Sequence, residues 1–184
     1  MSDARREHIL NAALEVFLER GIQAASIEDI RERSGASVGS LYHRFGSKEG
    51  IAAAVYVAAL ADYQRQFLAL LREDRSTEET VKATVRAHLR WVQRNPDRAA
   101  FLFMGREADA HELNDGFFEH VRAWIDPRIA ARELRDAPLG VLNALWVGPS
   151  QELARHWLAG GRRGSVTKHA NALADAAWRS LEAP

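Results

Sequence analysis

Cysteine is absent from the 184 residues, and the sequence is also poor in proline and in long apolar runs. Without cysteine the chain can form neither disulfides nor thiolate nucleophiles, and it cannot hold zinc or an iron–sulfur cluster through sulfur. The longest apolar run, Ile51 to Ala61, is about half of the roughly 20 residues that a membrane-spanning helix requires. The opening residues, MSDARREHIL, have no apolar signal core. We therefore expect a soluble, cytoplasmic protein.

Net charge is also absent, since 25 basic residues balance 25 acidic ones. Whole-chain charge therefore predicts no nucleic-acid partner, and any affinity for DNA must come from local placement of charge. Such a concentration exists between Arg31 and Lys48, where four basic residues stand against one acidic residue, Glu32, for a local charge of +3. Residues 1–50 as a whole are slightly acidic, with seven basic and eight acidic residues.

Alternating patterns of strand length are lacking, and helical periodicity runs through almost the whole chain. The sequence predicts an all-α fold of about nine helices with short connections. The predicted helices cover residues 3–20, 27–34, 38–45, 48–72, 76–94, 96–105, 114–125, 138–159 and 166–181. Pro127 is expected to end or bend the seventh helix, and Gly148-Pro149 to kink the eighth.

Two short helices joined by a tight turn stand out between Ser26 and Gly46. Ser26 and Asp29 form a capping-box pattern at the start of the second helix, and Gly35 supplies the positive φ that the turn requires. The third helix follows Ser37 and ends before Gly46, where a long fourth helix begins at once. This layout is that of a helix-turn-helix.

The stretch from Ser34 to Ile51 resembles the TetR family of bacterial transcription regulators, and the resemblance begins at Ile9. It is carried by Ser26, Ile30, Gly35, Ser37, Gly39, Leu41, Tyr42, Phe45, Ser47, Lys48 and Glu49. Arg33, Arg44 and Gly50 depart from the residues that the family prefers. The resemblance implies a helix-turn-helix DNA-binding domain in residues 1–50 and a helical effector-binding and dimerisation domain in residues 51–184.

The third helix and its flanks contain the residues that we expect to contact DNA. Short side chains at its start would let it approach base edges closely, while Tyr42, His43 and Lys48 could reach phosphates. The predicted DNA-binding residues are Ser26, Arg33, Ser37, Val38, Gly39, Ser40, Tyr42, His43, Arg44 and Lys48. In the alternative interpretation Tyr42 is partly core, Arg44 is a solvated charge and Ser37 only caps its helix.

Aromatic residues and histidines are concentrated in the middle of the chain. In the family that the chain resembles, such residues often line a cavity for a small effector, although core packing would produce the same pattern. The candidate ligand-binding residues are Tyr63, Phe67, His88, Trp91, Phe101, Phe103, Met104, His111, Phe117, His120 and Trp124. Asp109 and Glu112 lie near His111, but their spacing matches no familiar metal site. We therefore predict neither a metal nor a cofactor.

Apolar side chains on the last two predicted helices exceed what a small core needs. The resemblance implies that these helices pair with those of a second copy in a symmetric interface. The candidate interface residues are Leu142, Leu145, Trp146, Leu153, Trp157, Leu173 and Trp178. Two-fold symmetry of the protein then requires a palindromic DNA site.

The sequence therefore predicts a ligand-responsive, DNA-binding transcriptional regulator. In this interpretation a homodimeric repressor is released from double-stranded operator DNA by an unknown small-molecule effector, and an activator of the same family is the alternative. We predict no enzyme, because the sequence shows no nucleophile–base pair, no convincing pair of carboxylates and no phosphate-binding glycine loop. A helical scaffold that does not bind DNA is the remaining alternative.

Overall fold

The computed structural model describes residues 3–72, 74–105 and 111–184. Its helices are α1 (Asp3–Arg20), α2 (Ile27–Ser34), α3 (Val38–Phe45), α4 (Lys48–Leu71), α5 (Thr77–Arg94), α6 (Pro96–Phe103), α7 (His111–Ala130), α8 (Leu139–Trp146), α9 (Gly148–Ala159) and α10 (Ala170–Leu181), with a 3₁₀ helix at Val166–His169. Within the described ranges the only β-type pairing is an isolated antiparallel bridge between Leu134 and Glu182. The predicted all-α fold is confirmed. No helix in those ranges is long and apolar enough to span a membrane.

The eighth predicted helix is divided into two. Helix α8 ends at Trp146 and α9 begins at Gly148, with Pro149 in its first turn. Proline has no N–H to donate to the preceding turn, but it fits the first turn of a helix, where that hydrogen bond is not made. Pro149 therefore ends one helix and starts the next, and the kink that we expected is a break.

Pro127, in contrast to Pro149, lies inside a helix. Helix α7 runs through it to Ala130 and begins at His111, so it is longer at both ends than the predicted segment 114–125. The carbonyl oxygen of Pro127 accepts a hydrogen bond from the N–H of Ala131 at 3.0 Å. One missing N–H near the end of a helix is tolerated here. Of the two outcomes that we expected at Pro127, an end of the helix was wrong, and a bend stays a prediction.

The chain divides into two compact units, one of which contains Met1–Ala61 and Asp97–His111. In this first unit α6 packs on α1, because the rings of Phe17 and Phe101 stack with centroids 5.9 Å apart. Arg98 donates hydrogen bonds to Glu7 and Asn11, each at 3.2 Å. The domain boundary after residue 50 stays a prediction.

The second unit contains Asp62–Pro96 and Glu112–Pro184. Its core is formed by side chains that are at most 7% exposed, contributed by α4, α5, α7, α8 and α10 and by two residues between helices, Leu134 and Val147. They are Phe67, Val81, Val85, Val121, Trp124, Ile125, Leu134, Leu142, Trp146, Val147, Ala174, Ala177 and Leu181. A polar contact crosses this core, since the indole N–H of Trp146 donates to the hydroxyl of Thr84 at 2.8 Å.

The connection between α3 and α4 is unusually tight. A Cβ placed on Gly50 would lie 1.9 Å from the carbonyl oxygen of Phe45, a distance that no side chain tolerates. The hydroxyl of Ser47 accepts a hydrogen bond from the N–H of Gly50 at 3.0 Å. Gly50 is one of the positions at which the sequence departs from the family that it resembles. The close approach of the Phe45 carbonyl at the end of α3 explains why only glycine fits this position.

We predict that Gly50→Ala destabilises the protein in urea unfolding. A glycine-to-alanine change inside a helix ordinarily stabilises by about 0.5–1 kcal/mol, and the clash with Phe45 should reverse this sign. Gly116→Ala in α7 is the matched control, because a Cβ there meets nothing within 4 Å. Equal stabilisation by both substitutions would contradict the tight connection.

Candidate functional site

Local side-chain and backbone hydrogen bonds define both ends of α2. Ser26 accepts a hydrogen bond from the N–H of Asp29 at 3.1 Å, and Asp29 accepts one from the N–H of Ser26 at 2.9 Å. The Ser26 hydroxyl also donates to the Asp29 carboxylate at 2.7 Å, and the hydrogen bonds from this hydroxyl and from the Ser26 N–H lower the pKa of Asp29. At the other end Gly35 has φ 62° and donates its N–H to the carbonyl of Arg31 at 2.9 Å. The predicted capping box and glycine turn are confirmed.

Helix α3 follows after a three-residue turn and is closed in the same way. The hydroxyl of Ser37 accepts a hydrogen bond from the N–H of Ser40 at 3.2 Å, and Gly46 ends the helix with φ 74°. The predicted bounds of α2 and α3 agree with the structure. Two eight-residue helices joined by residues 35–37 make a helix-turn-helix.

One side of α3 is anchored and the other is exposed. Leu41 is fully buried, whereas Val38 is 37% and Tyr42 51% exposed. Gly39, His43 and Arg44 are exposed as well. Tyr42 is therefore not part of the core, and its ring lies on the same exposed side as Val38, four residues earlier. This exposed side of α3 is available to an external partner.

The cations of α2 have partners within the chain. Arg33 donates to Glu15 at 3.0 Å and to Glu19 at 2.8 Å, which joins α2 to α1. Arg31 pairs with Glu28 at 2.7 Å. The hydrogen bonds with Glu19 and Glu15 raise the pKa of Arg33, and the bond from Arg33 lowers the pKa of Glu19. The local charge of +3 between Arg31 and Lys48 is thus partly offset, because carboxylates that lie outside this segment pair with Arg31 and Arg33.

Lys48 and Ser26 also have internal partners. The ammonium group of Lys48 donates to the backbone carbonyls of Gln23 and Ala25, each at 2.8 Å. The Ser26 hydroxyl belongs to the capping box. Among the four basic residues between Arg31 and Lys48, only Arg44 has no ion pair or hydrogen bond to another described residue. The roles of the predicted DNA-binding residues remain predictions.

The candidate ligand residues are distributed over both units. Phe101 stacks on Phe17 in the first unit, where Phe103 is half-buried and Met104 is 49% exposed. His120 in the second unit is exposed, and the side chain of His111 lies outside the described residues, as does Asp109.

The remaining candidates pack ring against ring in the second unit. The ring centroids of Tyr63 and Trp91 are 5.3 Å apart, and those of Phe67 and Phe117 are 5.5 Å apart. Trp124 lies 5.3 Å from Trp146. The side chains of this aromatic cluster therefore contribute to the packing of α4, α5 and α7.

Buried polar groups accompany these rings. The Nδ1 atom of His88 lies 3.1 Å from the Tyr63 hydroxyl, and burial lowers the pKa of His88 to about 4 while raising that of Tyr63. Within the described ranges Nε2 of His88 is buried and makes no hydrogen bond of normal geometry, although the nearby backbone of Ser150 opposes part of the pKa shift. His88 is therefore neutral at pH 7.

Sequence patterns missed the other polar members of this region. The indole of Trp91 donates to Asp62 at 2.8 Å, and the side-chain amide of Gln64 donates to Asn114 at 3.0 Å. Gln64 is only 4% exposed. The only feature of the sequence that predicts Gln64 near the aromatic side chains is its position three residues before Phe67, on the same side of α4.

The candidate interface residues fall into three groups. Leu142 and Trp146 are at most 2% exposed and belong to the core of their own unit, so burial removes them from a proposed interface. Leu145, Leu173 and Trp178 are partly buried and pack against that core. Leu153 and Trp157, both on α9, are partly exposed and lie outside the core cluster.

Comparison with known proteins identifies a family match that includes the helix-turn-helix. The model of the family described as "Bacterial regulatory proteins, tetR family" matches residues 9–55. The HTH-type transcriptional regulator RutR of Escherichia coli (strain K12) is 32% identical over 130 residues, which cover 69% of this chain and 59% of RutR. The chain spans about half the length of the curated relatives it matches.

Solved structures share the fold along the whole chain. A TetR family transcription regulator from Marinobacter aquaeolei VT8 has a TM-score of 0.82 at 18% identity, covering 99% of this chain and 97% of its own. The regulator FadR from Bacillus subtilis, solved in complex with stearoyl-CoA, has a TM-score of 0.83 at 14% identity, covering 96% of this chain and 100% of its own. At these identities the likeness concerns the fold.

We predict that His88 makes stability depend on pH. Between its ordinary pKa of about 6.5 and the lowered value of about 4, the unfolded chain binds a proton that the native chain does not. Above pH 6.5, His88 should therefore not affect how the free energy of unfolding depends on pH. As the pH falls towards 4, protonation of His88 in the unfolded chain should lower the free energy of unfolding by up to about 3 kcal/mol.

The test is the pH dependence of the unfolding free energy in urea. His88→Asn, which cannot take up a proton, should remove this component, whereas His120→Asn at an exposed position should leave it in place. Parallel acid destabilisation of the wild type and the His88 variant would rule out the predicted contribution of His88.

Proposed function

Because the chain belongs to the tetR family of bacterial regulatory proteins, we propose that it is a homodimeric transcriptional repressor whose release from a palindromic operator is caused by a small-molecule effector. The observation that supports this proposal best is the exposed side of α3, held in place by a buried leucine and by caps at both ends. A short helix presented in this way enters the major groove in helix-turn-helix proteins.

On the exposed side of α3, the first residues suit contacts with base edges and the later ones suit contacts with phosphates. Gly39 has no side chain and that of Val38 is short, so the start of α3 can approach base edges closely. Tyr42, His43 and Arg44 follow on the next turn, and a tyrosine hydroxyl or guanidinium can donate to a phosphate oxygen. Arg44 is our preferred phosphate contact, because Arg31 and Arg33 are neutralised by carboxylates.

The effector site is proposed in the second unit, around Tyr63 and His88. Aromatic faces there would accept an apolar ligand body, and the buried polar groups of His88 and Gln64 would recognise a hydrogen-bonding group. Helix α4 supplies residues to both units and starts directly after α3, so a change at Tyr63 that moves α4 would alter the placement of α3. By linkage, operator DNA must weaken effector binding by the same factor, typically about 5- to 150-fold for a coupling of roughly 1–3 kcal/mol.

Dimerisation is proposed through the last helices. Leu153 and Trp157 are the strongest candidates, since they are apolar, partly exposed and not used in the core of their own unit. Leu145, Leu173 and Trp178 would contribute their outer surfaces, and Val141 on α8, which is 47% exposed, joins them. A two-fold dimer presents two copies of α3 and so requires two half-sites in inverted orientation.

The DNA-binding part of the proposal predicts that the wild-type protein selects an inverted repeat from a pool of random duplexes. Arg44→Met should weaken binding to the selected duplex and lower the slope of log affinity against log salt by about 0.9 per subunit. Arg122→Met, at an exposed position of α7, should change neither quantity. Failure of the wild type to select any duplex would contradict the proposed function.

For the dimer we predict that Leu153→Glu raises the dissociation constant at least about tenfold, since it places a charge in a desolvated apolar contact. Sedimentation equilibrium measures this change. Gln151→Glu, two residues earlier on α9, adds the same charge without removing an apolar side chain and should leave the dimer intact. A wild type that sediments as a monomer throughout the micromolar range would refute the proposed interface.

A further inference from the structure

Lys48 is the first residue of α4, and its side chain points back towards the loop between α1 and α2. The ammonium group donates to the carbonyls of Gln23 and Ala25, both at 2.8 Å, and the side chain is half-buried. An ammonium group has three donors, so two are used within the chain and one remains for solvent. These are charge-assisted hydrogen bonds, which are stronger than neutral ones.

The position of these bonds in the chain gives them a particular effect. Ala25 precedes the N-cap of α2, and Lys48 follows the end of α3. The hydrogen bond between them therefore joins two residues that are 23 positions apart and encloses the entire helix-turn-helix. Both ends of the α2–α3 pair are held together at one point, so this contact limits how far the pair can rotate as a unit.

Local electrostatics favour the same geometry. A positive charge at the N-terminus of a helix is unfavourable, because the helix dipole is positive at that end. The two carbonyl oxygens offset this cost for Lys48 by presenting the negative ends of their dipoles. Arginine would not reproduce the contact, since its planar fork differs from the compact, rotatable donors of an ammonium group.

We propose that Lys48 is a positioning residue, which clasps the base of the helix-turn-helix and sets the orientation of α3 on DNA, and that it does not neutralise a phosphate. The inference rests on the proposed function, because orientation on DNA matters only for a DNA-binding protein. It gives Lys48 a different role from Arg44, whose side chain is exposed and forms no hydrogen bond or ion pair with another described residue.

Salt dependence separates the two roles. A residue that neutralises a phosphate releases a counterion, so its removal lowers the salt slope by about 0.9 per subunit. A positioning residue changes affinity by misplacing α3 relative to the base edges, and it leaves that slope unchanged because no phosphate contact is lost. Exchange of backbone amide hydrogens in residues 21–26 supplies a second readout in the protein alone, since the loop loses its tether when Lys48 is replaced.

The experiment compares Lys48→Met with Arg44→Met on a duplex that the wild type has selected from a random pool. We expect Lys48→Met, which loses both charged hydrogen bonds to the loop, to bind roughly tenfold more weakly, with an unchanged salt slope and faster exchange in residues 21–26. Arg44→Met should show the reverse pattern, a lower slope with wild-type exchange. A fall of about 0.9 per subunit in the slope of Lys48→Met, or unchanged exchange in the loop, would overturn the proposal.

Lys48→Gln keeps the test decisive if Lys48→Met does not fold. Glutamine is uncharged but has two N–H donors, so it can still bond to a loop carbonyl while it cannot neutralise a phosphate. Partial retention of affinity with the wild-type slope supports positioning, and a lowered slope refutes it. If the wild type selects no duplex, the proposed function fails, whereas amide exchange in the loop still shows whether Lys48 tethers it.

Discussion

An eight-residue α-helix does not persist by itself, because isolated helices shorter than about 12–15 residues are marginal in water. The helix-turn-helix of this chain consists of two such helices. Their stability depends on caps that satisfy the end groups and on one buried anchor in each, Ile30 in α2 and Leu41 in α3, both fully buried. The exposed side of α3 exists as a defined surface only because of these contacts.

The polar residues of the region therefore fall into two groups. Some stabilise the helices through hydrogen bonds within the chain, and the others remain available for an external partner. Ser26, Asp29 and Ser37 are used at helix ends, and Arg33 joins α2 to α1 through two glutamates. Of these, Ser26, Arg33 and Ser37 were predicted to contact DNA by residue type and position. Hydrogen bonds within the chain compete with that role, because a donor already paired must give up its partner to bind a phosphate.

The sequence predicted the local part of the fold well and the distant contacts poorly. The bounds of α2 and α3 follow from caps and glycines within four residues of each helix end, so the pattern contains all that is needed. Pro127 and Pro149 were both expected to disturb a helix, yet one lies inside a helix and the other starts one. The difference depends on packing that no local pattern records.

Pairs that are far apart in the chain were not predictable at all. Lys48 and Ala25 are 23 residues apart, and Arg33 and Glu19 are 14 apart, so helical periodicity says nothing about whether they meet. The same limit applies to the aromatic residues. Phe101 and Phe117 have equal apolar character, but Phe101 packs on α1 and Phe117 on α4. Burial of Leu142 and Trp146 in their own core is likewise a property of the packed unit.

Charge pairing within the first unit also bears on how strongly one copy could hold DNA. Electrostatic affinity grows with the number of phosphates that are neutralised, and here carboxylates already neutralise Arg31 and Arg33. A single helix-turn-helix with so few available cations would bind weakly and would lose that binding as salt is raised. Two copies held by one interface turn the second binding step into an intramolecular one, which multiplies affinity without new contacts. Under the proposed function, dimerisation would therefore be a requirement of operator binding, because local charge alone would not supply the affinity.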